Sequence, residues 1–137
     1  MPLTLPGAVH NAVVLCIDDD PAMLECEQRF LESFGYRVLT ALSGPKGLEL
    51  ASIQSVDVVI IDYCMPGMNG PEVAVQIKRL RPHAPVIMLS GAVDIPKNAL
   101  KMVDAFVAKD RLGSQLLPVI AELQKGGSPQ MRSALYD

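Results

Sequence analysis

VVIIDYCMPGMNG, residues 58–70, opens with four branched aliphatic side chains and then turns at once into a carboxylate, Asp62. An apolar run without polar alternation predicts a strand covered on both faces, as in parallel sheets packed between helices. The Pro, Gly and Asn that follow predict a loop. Asp62 alone would serve as a turn cap. The same pattern occurs upstream, however, where VLCIDDDP (14–21) runs from an apolar strand into Asp18, Asp19 and Asp20.

Similar β-branched runs recur along the chain: AVVLCI (12–17), RVLTA (37–41), VDVVII (56–61), PVIMLS (85–90) and AFVAK (105–109). Segments of helical periodicity separate them, at about 21–34, 44–53, 70–80, 95–103 and 114–125. In the first, Asp20 is placed to cap the helix and Pro21 suits its opening position. Met23, Leu24, Phe30, Leu31 and Phe34 recur at helical spacing, and Gly35 can supply a left-handed stop. Pro118 falls inside the last segment, so that helix, if capped by Ser114, is expected to begin late or to bend. Five β–α units with right-handed crossovers predict an α/β fold: a five-stranded parallel sheet, doubly wound, with helices on both faces.

At 137 residues the chain is the size of one domain, and half of its residues are hydrophobic while a fifth are charged. A net charge of −3 and no clustered basic stripe argue against direct nucleic-acid binding. The three cysteines include no CxxC pair and lie far in sequence from His10 and His83, which excludes a structural zinc cluster and points to a reducing compartment. Cys16, inside an apolar run, is expected to be a small buried hydrophobe. No run approaches the roughly 20 apolar residues of a membrane helix, and the first residues lack the pattern of a secretory signal. A cytoplasmic protein is expected, with a flexible N-terminal extension (1–11), a folded domain (12–125) and a flexible tail (126–137).

In an open parallel sheet, ligands bind beyond the carboxyl ends of the strands. Asp18 and Asp19 stand at that end of the first strand, Asp62 at the third, Ser90 at the fourth and Lys109 at the fifth. Taken singly, Asp20 is a helix cap, Ser90 a hydroxyl bonded to a nearby carbonyl, and Lys109 a solvated charge. Together they gather three carboxylates, a hydroxyl and an ammonium on one rim. Clustered carboxylates repel and raise one another's pKa, which a cation relieves. Mg2+ fits, because it takes oxygen ligands and keeps waters alongside one or two carboxylates and a phosphate. A carboxylate can also attack a phosphoryl group, and the transfer then needs mainly alignment and charge stabilisation.

VLCIDDDP, VVIIDYCMPGMNG, VIMLSGA and AFVAKD together resemble the signature segments of the response-regulator receiver domain of two-component signalling, over about residues 12–125. The resemblance implies the chemotaxis-regulator-like, flavodoxin-like strand order 2-1-3-4-5. It implies that Asp62 is the phosphoacceptor for a sensor histidine kinase or phosphotransfer protein. Asp18 and Asp19 would form the acid pair for Mg2+, Asp19 directly and Asp18 through water, with Asp62 and the main-chain carbonyl of Cys64 completing the ligands. Ser90 would reach the phosphoryl oxygen, Lys109 would pair with the acceptor, and Phe106 would be the aromatic switch that follows Ser90. A downstream protein would be read on the face of helix 4, strand 5 and helix 5. A homodimer through the fourth and fifth helices is left open.

Three features depart from the family pattern. Asp110 follows Lys109 where Pro is usual, the interval from Ser90 to Lys109 is short by close to one helical turn, and Phe106 replaces a frequent Tyr. Two other functions compete. IDDDP offers the Asp-x-Asp (Asp18, Asp20) of haloacid-dehalogenase-like phosphatases, but that leaves Asp62 and its loop without a role and no acidic pair follows the lysine. A receiver-like scaffold that is never phosphorylated would not need the full set of site residues.

Overall fold

The computed structural model describes residues 12–91 and 95–125. The expected N-terminal extension, the tail and the segment 92–94 after the fourth strand lie outside the described residues. Strands β1 (Val13–Ile17), β2 (Arg37–Ala41), β3 (Val58–Asp62), β4 (Val86–Ser90) and β5 (Ala105–Ala108) alternate with helices α1 (Pro21–Glu32), α2 (Gly44–Ile53), α3 (Gly70–Leu80), α4 (Lys97–Leu100) and α5 (Leu112–Gln124). The strands form one parallel sheet in the order β2-β1-β3-β4-β5. This is the α/β, doubly wound, flavodoxin-like architecture expected from the sequence.

Every residue of β3 and β4 is buried, as the absence of polar alternation predicts. One face of the sheet packs Val14, Cys16, Val58 and Ile60 with Leu24 and Leu31 of α1 and Leu116, Val119 and Ile120 of α5. The other packs Leu15, Ile17, Val59 and Ile61 with Ala51 of α2 and Val73, Ala74 and Ile77 of α3.

Local chemistry fixes where the helices begin. Asp20 accepts a hydrogen bond from the Ala22 N–H and Pro21 opens α1, while Gly35, at φ 96°, sits two residues beyond the Ser33 cap at its end. Ser43 caps α2. Asn69 and Glu72 form a reciprocal capping box at α3, each side chain accepting from the other's backbone N–H.

Two helices differ from expectation. Helix α4 is a single turn, as the short Ser90-to-Lys109 interval foreshadows, and is shorter than the 95–103 read from periodicity. Helix α5 begins early rather than late: a 3-10 turn at Lys109–Arg111 leads into Leu112, so Ser114 is not its cap and Pro118 lies in its interior. The proline removes one backbone hydrogen bond, but Leu116, Val119 and Ile120 around it are wholly buried, and their burial holds the helix together. Among the described residues no peptide bond is cis, so Lys109–Asp110 is trans.

Candidate functional site

The register of the sheet builds the site. Ile17 pairs with Ile61, so Asp18 and Asp62 come level one residue later. Asp62 pairs with Leu89, and Ser90 pairs with Ala108, which sets Lys109 beside the next step of the rim. Asp62 is the last residue of β3 and Ser90 the last of β4, both buried, while Lys109 opens the 3-10 turn after β5.

The contacts are short. Lys109 Nζ donates to Asp62 Oδ1 at 2.7 Å and lies 3.7 Å from Asp18 Oδ2. One carboxylate oxygen each from Asp18, Asp19 and Asp62 can be chosen so that all three lie within 4.8 Å of one another. Asp19 is exposed, whereas Asp18 is only 1% exposed. Asp18 is held by its own turn, its Oδ1 accepting from the Asp20 N–H at 3.0 Å. Its Oδ2 is buried and has no hydrogen-bond partner among the described residues.

The loop after Asp62 is fixed from below. Tyr63 N–H donates to Leu89 C=O at 2.9 Å, and Gly70 N–H donates to Tyr63 C=O at 3.1 Å. A Cβ at Gly70 would sit 2.7 Å from the Asp62 carbonyl and 3.0 Å from the Tyr63 Cα, so only glycine lets α3 start this close to the strand end. Cys64 is exposed within this loop. A shallow cavity of about 410 Å³ is lined by Tyr63, Cys64, Met65, Pro66, Asn69 and Pro71.

Electrostatics follow from this crowding. Burial raises the Asp18 carboxyl from 3.8 to about 6; the Asp20 N–H opposes the rise, while Asp62 adds to it and Lys109 subtracts. Burial also raises Asp62, against the pull of the Lys109 hydrogen bond and charge. For Lys109, burial disfavours the ammonium, but the hydrogen bond and charge of Asp62, with Asp18 behind it, raise its pKa on balance. Three acids and one base on this rim leave an excess of negative charge, suited to a cation.

Asp18, Asp19, Asp62 and Lys109 are thus brought together, with Ser90 at the end of the neighbouring strand and Cys64 two residues beyond Asp62, while two other residues singled out in the sequence stand apart. Asp20 spends its side chain on the Ala22 N–H and is absent from the oxygen cluster, which removes the second acid that an Asp-x-Asp phosphatase needs. Phe106 lies half-buried two residues before the Ser90–Ala108 rim pair, opposite Met88, against the α2–α3 face of the core. Glu27 was overlooked. It is 1% exposed on α1, between the buried Leu24 and Leu31, and the Cys16 thiol donates to its carboxyl. Its spacing from those leucines (three residues and four) is the signal that puts it on the core stripe.

Residues 14–120 match the response regulator receiver domain family, and the chain belongs to that family. It is similar to the transcriptional regulatory protein GlrR of Escherichia coli, at 40% identity over 85 residues, covering 62% of this chain and 19% of that protein. It is similar also to the sensory/regulatory protein RpfC of Xanthomonas campestris, at 32% identity over 124 residues, covering 84% of this chain and 17% of that protein. The chain therefore spans under a fifth of either relative's length. Among solved structures, a receiver domain protein from Clostridium thermocellum superposes with a TM-score of 0.76 at 32% identity, covering 84% of this chain and 95% of that one. The response regulator TrrA from Thermotoga maritima, determined in complex with Mg2+ and BeF, superposes with a TM-score of 0.77 at 28% identity, covering 82% and 98%. Receiver domains are signalling domains of two-component systems rather than enzymes in the ordinary sense. They work with histidine kinases or phosphotransfer proteins and bind Mg2+ at an acidic site. No helix among the described residues is long and apolar enough to cross a membrane.

Proposed function

We propose that this chain is a phosphorylation-switched receiver in which Asp62 accepts a phosphoryl group from the phosphohistidine of a sensor histidine kinase or phosphotransfer protein. The observation that supports it most strongly is the 2.7 Å contact of Lys109 with Asp62, at a rim where Asp18 and Asp19 add two more carboxylates. The buried Oδ2 of Asp18, which has no hydrogen bond among the described residues and only the Lys109 ammonium at 3.7 Å, fits a divalent cation and its hydration shell. Asp19 and Asp62 would hold Mg2+ directly, Asp18 through water, and the Cys64 carbonyl would complete the set. Bound there, the ion supplies charge neutralisation for the phosphoryl oxygens and relief of repulsion among the acids.

The chain's own groups do the rest. Burial raises the Asp62 pKa and the Lys109 ammonium, in contact with it, opposes that rise, so the lysine favours the ionised, nucleophilic form of the carboxylate. A carboxylate oxygen bonds to phosphorus as the P–N bond of phosphohistidine breaks, and the electron pair leaves with the imidazole nitrogen, which takes a proton from water. Lys109 then pairs with the phosphoryl oxygens, and the Ser90 hydroxyl donates to one of them. Phe106 follows Ser90 and biases a two-state equilibrium on the α4–β5–α5 face, where a downstream protein binds.

The test is labelling with acetyl phosphate or phosphoramidate in the presence of Mg2+. Wild type is expected to gain one labile phosphoryl group, and Asp62→Asn and metal-free wild type none. Equal labelling of the Asn variant would show that the acceptor lies elsewhere.

A further inference from the structure

Lys109 meets Asp62 only if β5 lies in its proper place, and β5 is the shortest strand, four residues at the edge of the sheet paired with β4 alone. The chain leading into it carries one helical turn, α4, and from 95 to 103 buries only Ala99 and Val103. Such a stretch offers little apolar area to hold the strand's entry. Polar contacts hold it instead, and they converge on Asp104, the residue before β5.

Asp104 grips the first residue of β4 twice. Its N–H donates to the Val86 carbonyl at 2.8 Å, and the Val86 N–H donates to its Oδ2 at 2.8 Å. Lys78, in the last turn of α3, bonds to that same Oδ2 and donates also to the Ala84 carbonyl at 3.3 Å. The two paired side chains are 34% and 32% exposed, so this is not one of the freely solvated bridges that contribute little. From this anchor the strands run in step to the rim: Ile87 lies opposite Ala105, Ser90 opposite Ala108, and Lys109 follows with its Nζ 2.7 Å from Asp62. Extended chain from Asp104 to Lys109 covers about 17 Å. That is beyond the roughly 8 Å over which salt leaves charges in contact, so Asp104 acts on Lys109 through the strand and not through its charge.

We propose, on the reading of Asp62 as the acceptor, that Asp104 held by Lys78 is a positioning residue for phosphoryl transfer: it fixes the entry of β5 and so keeps the Lys109 ammonium on the acceptor carboxylate. The expected metal ligands come from the end of β1, from β3 and from the loop after it, so that site is assembled without β5. The amine is not. Loss of the anchor therefore separates two properties that a general loosening would degrade together: Mg2+ is still bound, while the transfer slows. Displacing an aligned group by about 1 Å can cost up to about a hundredfold in rate, and a partial displacement of Lys109 should cost about tenfold.

The experiment is a double-mutant cycle on the full chain. Labelling by phosphoramidate at saturating Mg2+ is timed for wild type, Asp104→Ala, Lys109→Ala and the double variant, and isothermal titration with MgCl2 measures the affinity for the ion. Asp104→Ala is expected to label about tenfold more slowly than wild type with unchanged Mg2+ affinity. In the Lys109→Ala background it is expected to slow labelling no further, because the two residues act through one amine. A wild-type rate in Asp104→Ala, equal slowing in both backgrounds, or loss of Mg2+ binding along with labelling overturns the inference and leaves the acceptor reading standing. Lys78→Met, which leaves the bond from the Val86 N–H to Asp104 in place, is expected to show the same pattern with a smaller slowing. It decides the matter if urea denaturation shows that Asp104→Ala does not fold, and a wild-type rate in Lys78→Met then overturns the inference. Labelling of Asp62→Asn equal to wild type overturns the acceptor reading and the inference with it.

Discussion

Removing one of the site's own acids should make the metal-free protein more stable. In Asp18→Asn the amide oxygen can still accept from the Asp20 N–H, so the turn survives, while the buried charge is gone. The folded protein holds the Asp18 proton up to about pH 6, against an ordinary 3.8. At roughly 1.4 kcal/mol per pH unit, that gap is worth about 3 kcal/mol in favour of the variant at pH 7. Relaxation and water entry make this a ceiling, so an observed gain of about 1–3 kcal/mol is expected. The sign with pH follows from linkage: a folded-state pKa above the unfolded value means the folded protein binds more protons between the two. Wild-type stability should therefore fall as pH rises from about 4 to above 6, and the variant should lose that part of the decline. Urea denaturation in EDTA at pH 4, 5, 6 and 7 measures the difference directly, with m-values as a check on two-state behaviour. Saturating Mg2+ should then reverse the order, because the ion binds the folded wild type and stabilises it by mass action. A variant no more stable than wild type at pH 7 without metal, or a gap that stays constant down to pH 4, would refute the view that Asp18 is a strained charge in the empty site.

Lys109→Ala leaves Asp62 buried without its counter-charge. Discounted for the partial exposure of the lysine, this should cost about 1–2 kcal/mol without metal, and should slow labelling by acetyl phosphate at least tenfold; unchanged labelling would remove Lys109 from the chemistry. Gly70→Ala forces a methyl group against the Asp62 carbonyl and the Tyr63 backbone, neither of which is a flexible side-chain end. A loss of about 1–3 kcal/mol is expected, together with weaker Mg2+ binding in calorimetry, because the loop bearing Cys64 must shift; a neutral result would show that the α3 junction has slack.

Much of the fold is legible because local and tertiary preferences agree. Asp20–Pro21, Ser43 and Asn69 with Glu72 mark helix starts by side-chain chemistry alone, and β3 and β4 read as fully buried strands from their unbroken aliphatic runs. The rim residues are legible for a topological reason, since each stands at the carboxyl end of its strand in a parallel sheet. The start of α5 is less so, because the local penalty at Pro118 argued for a late beginning while the burial of Leu116, Val119 and Ile120 decided otherwise. Phe34 belongs to the apolar spacing of α1 yet is 40% exposed, because α1 ends at Glu32 and the chain has already left the helix. Glu27 was hidden by its type: a charged residue between two leucines is taken as solvent-facing unless the spacing is followed through it.

The pairing of Lys109 with Asp62 and Asp18 joins the last strand to the middle and the first. These are contacts of long sequence separation, the slowest kind to close during folding. An intermediate with β1 and β3 docked but β5 still loose would display the carboxylates without the amine that pairs with Asp62. If the proposed acceptor role of Asp62 holds, a chain whose fifth strand has not yet docked would lack the amine that the reaction needs.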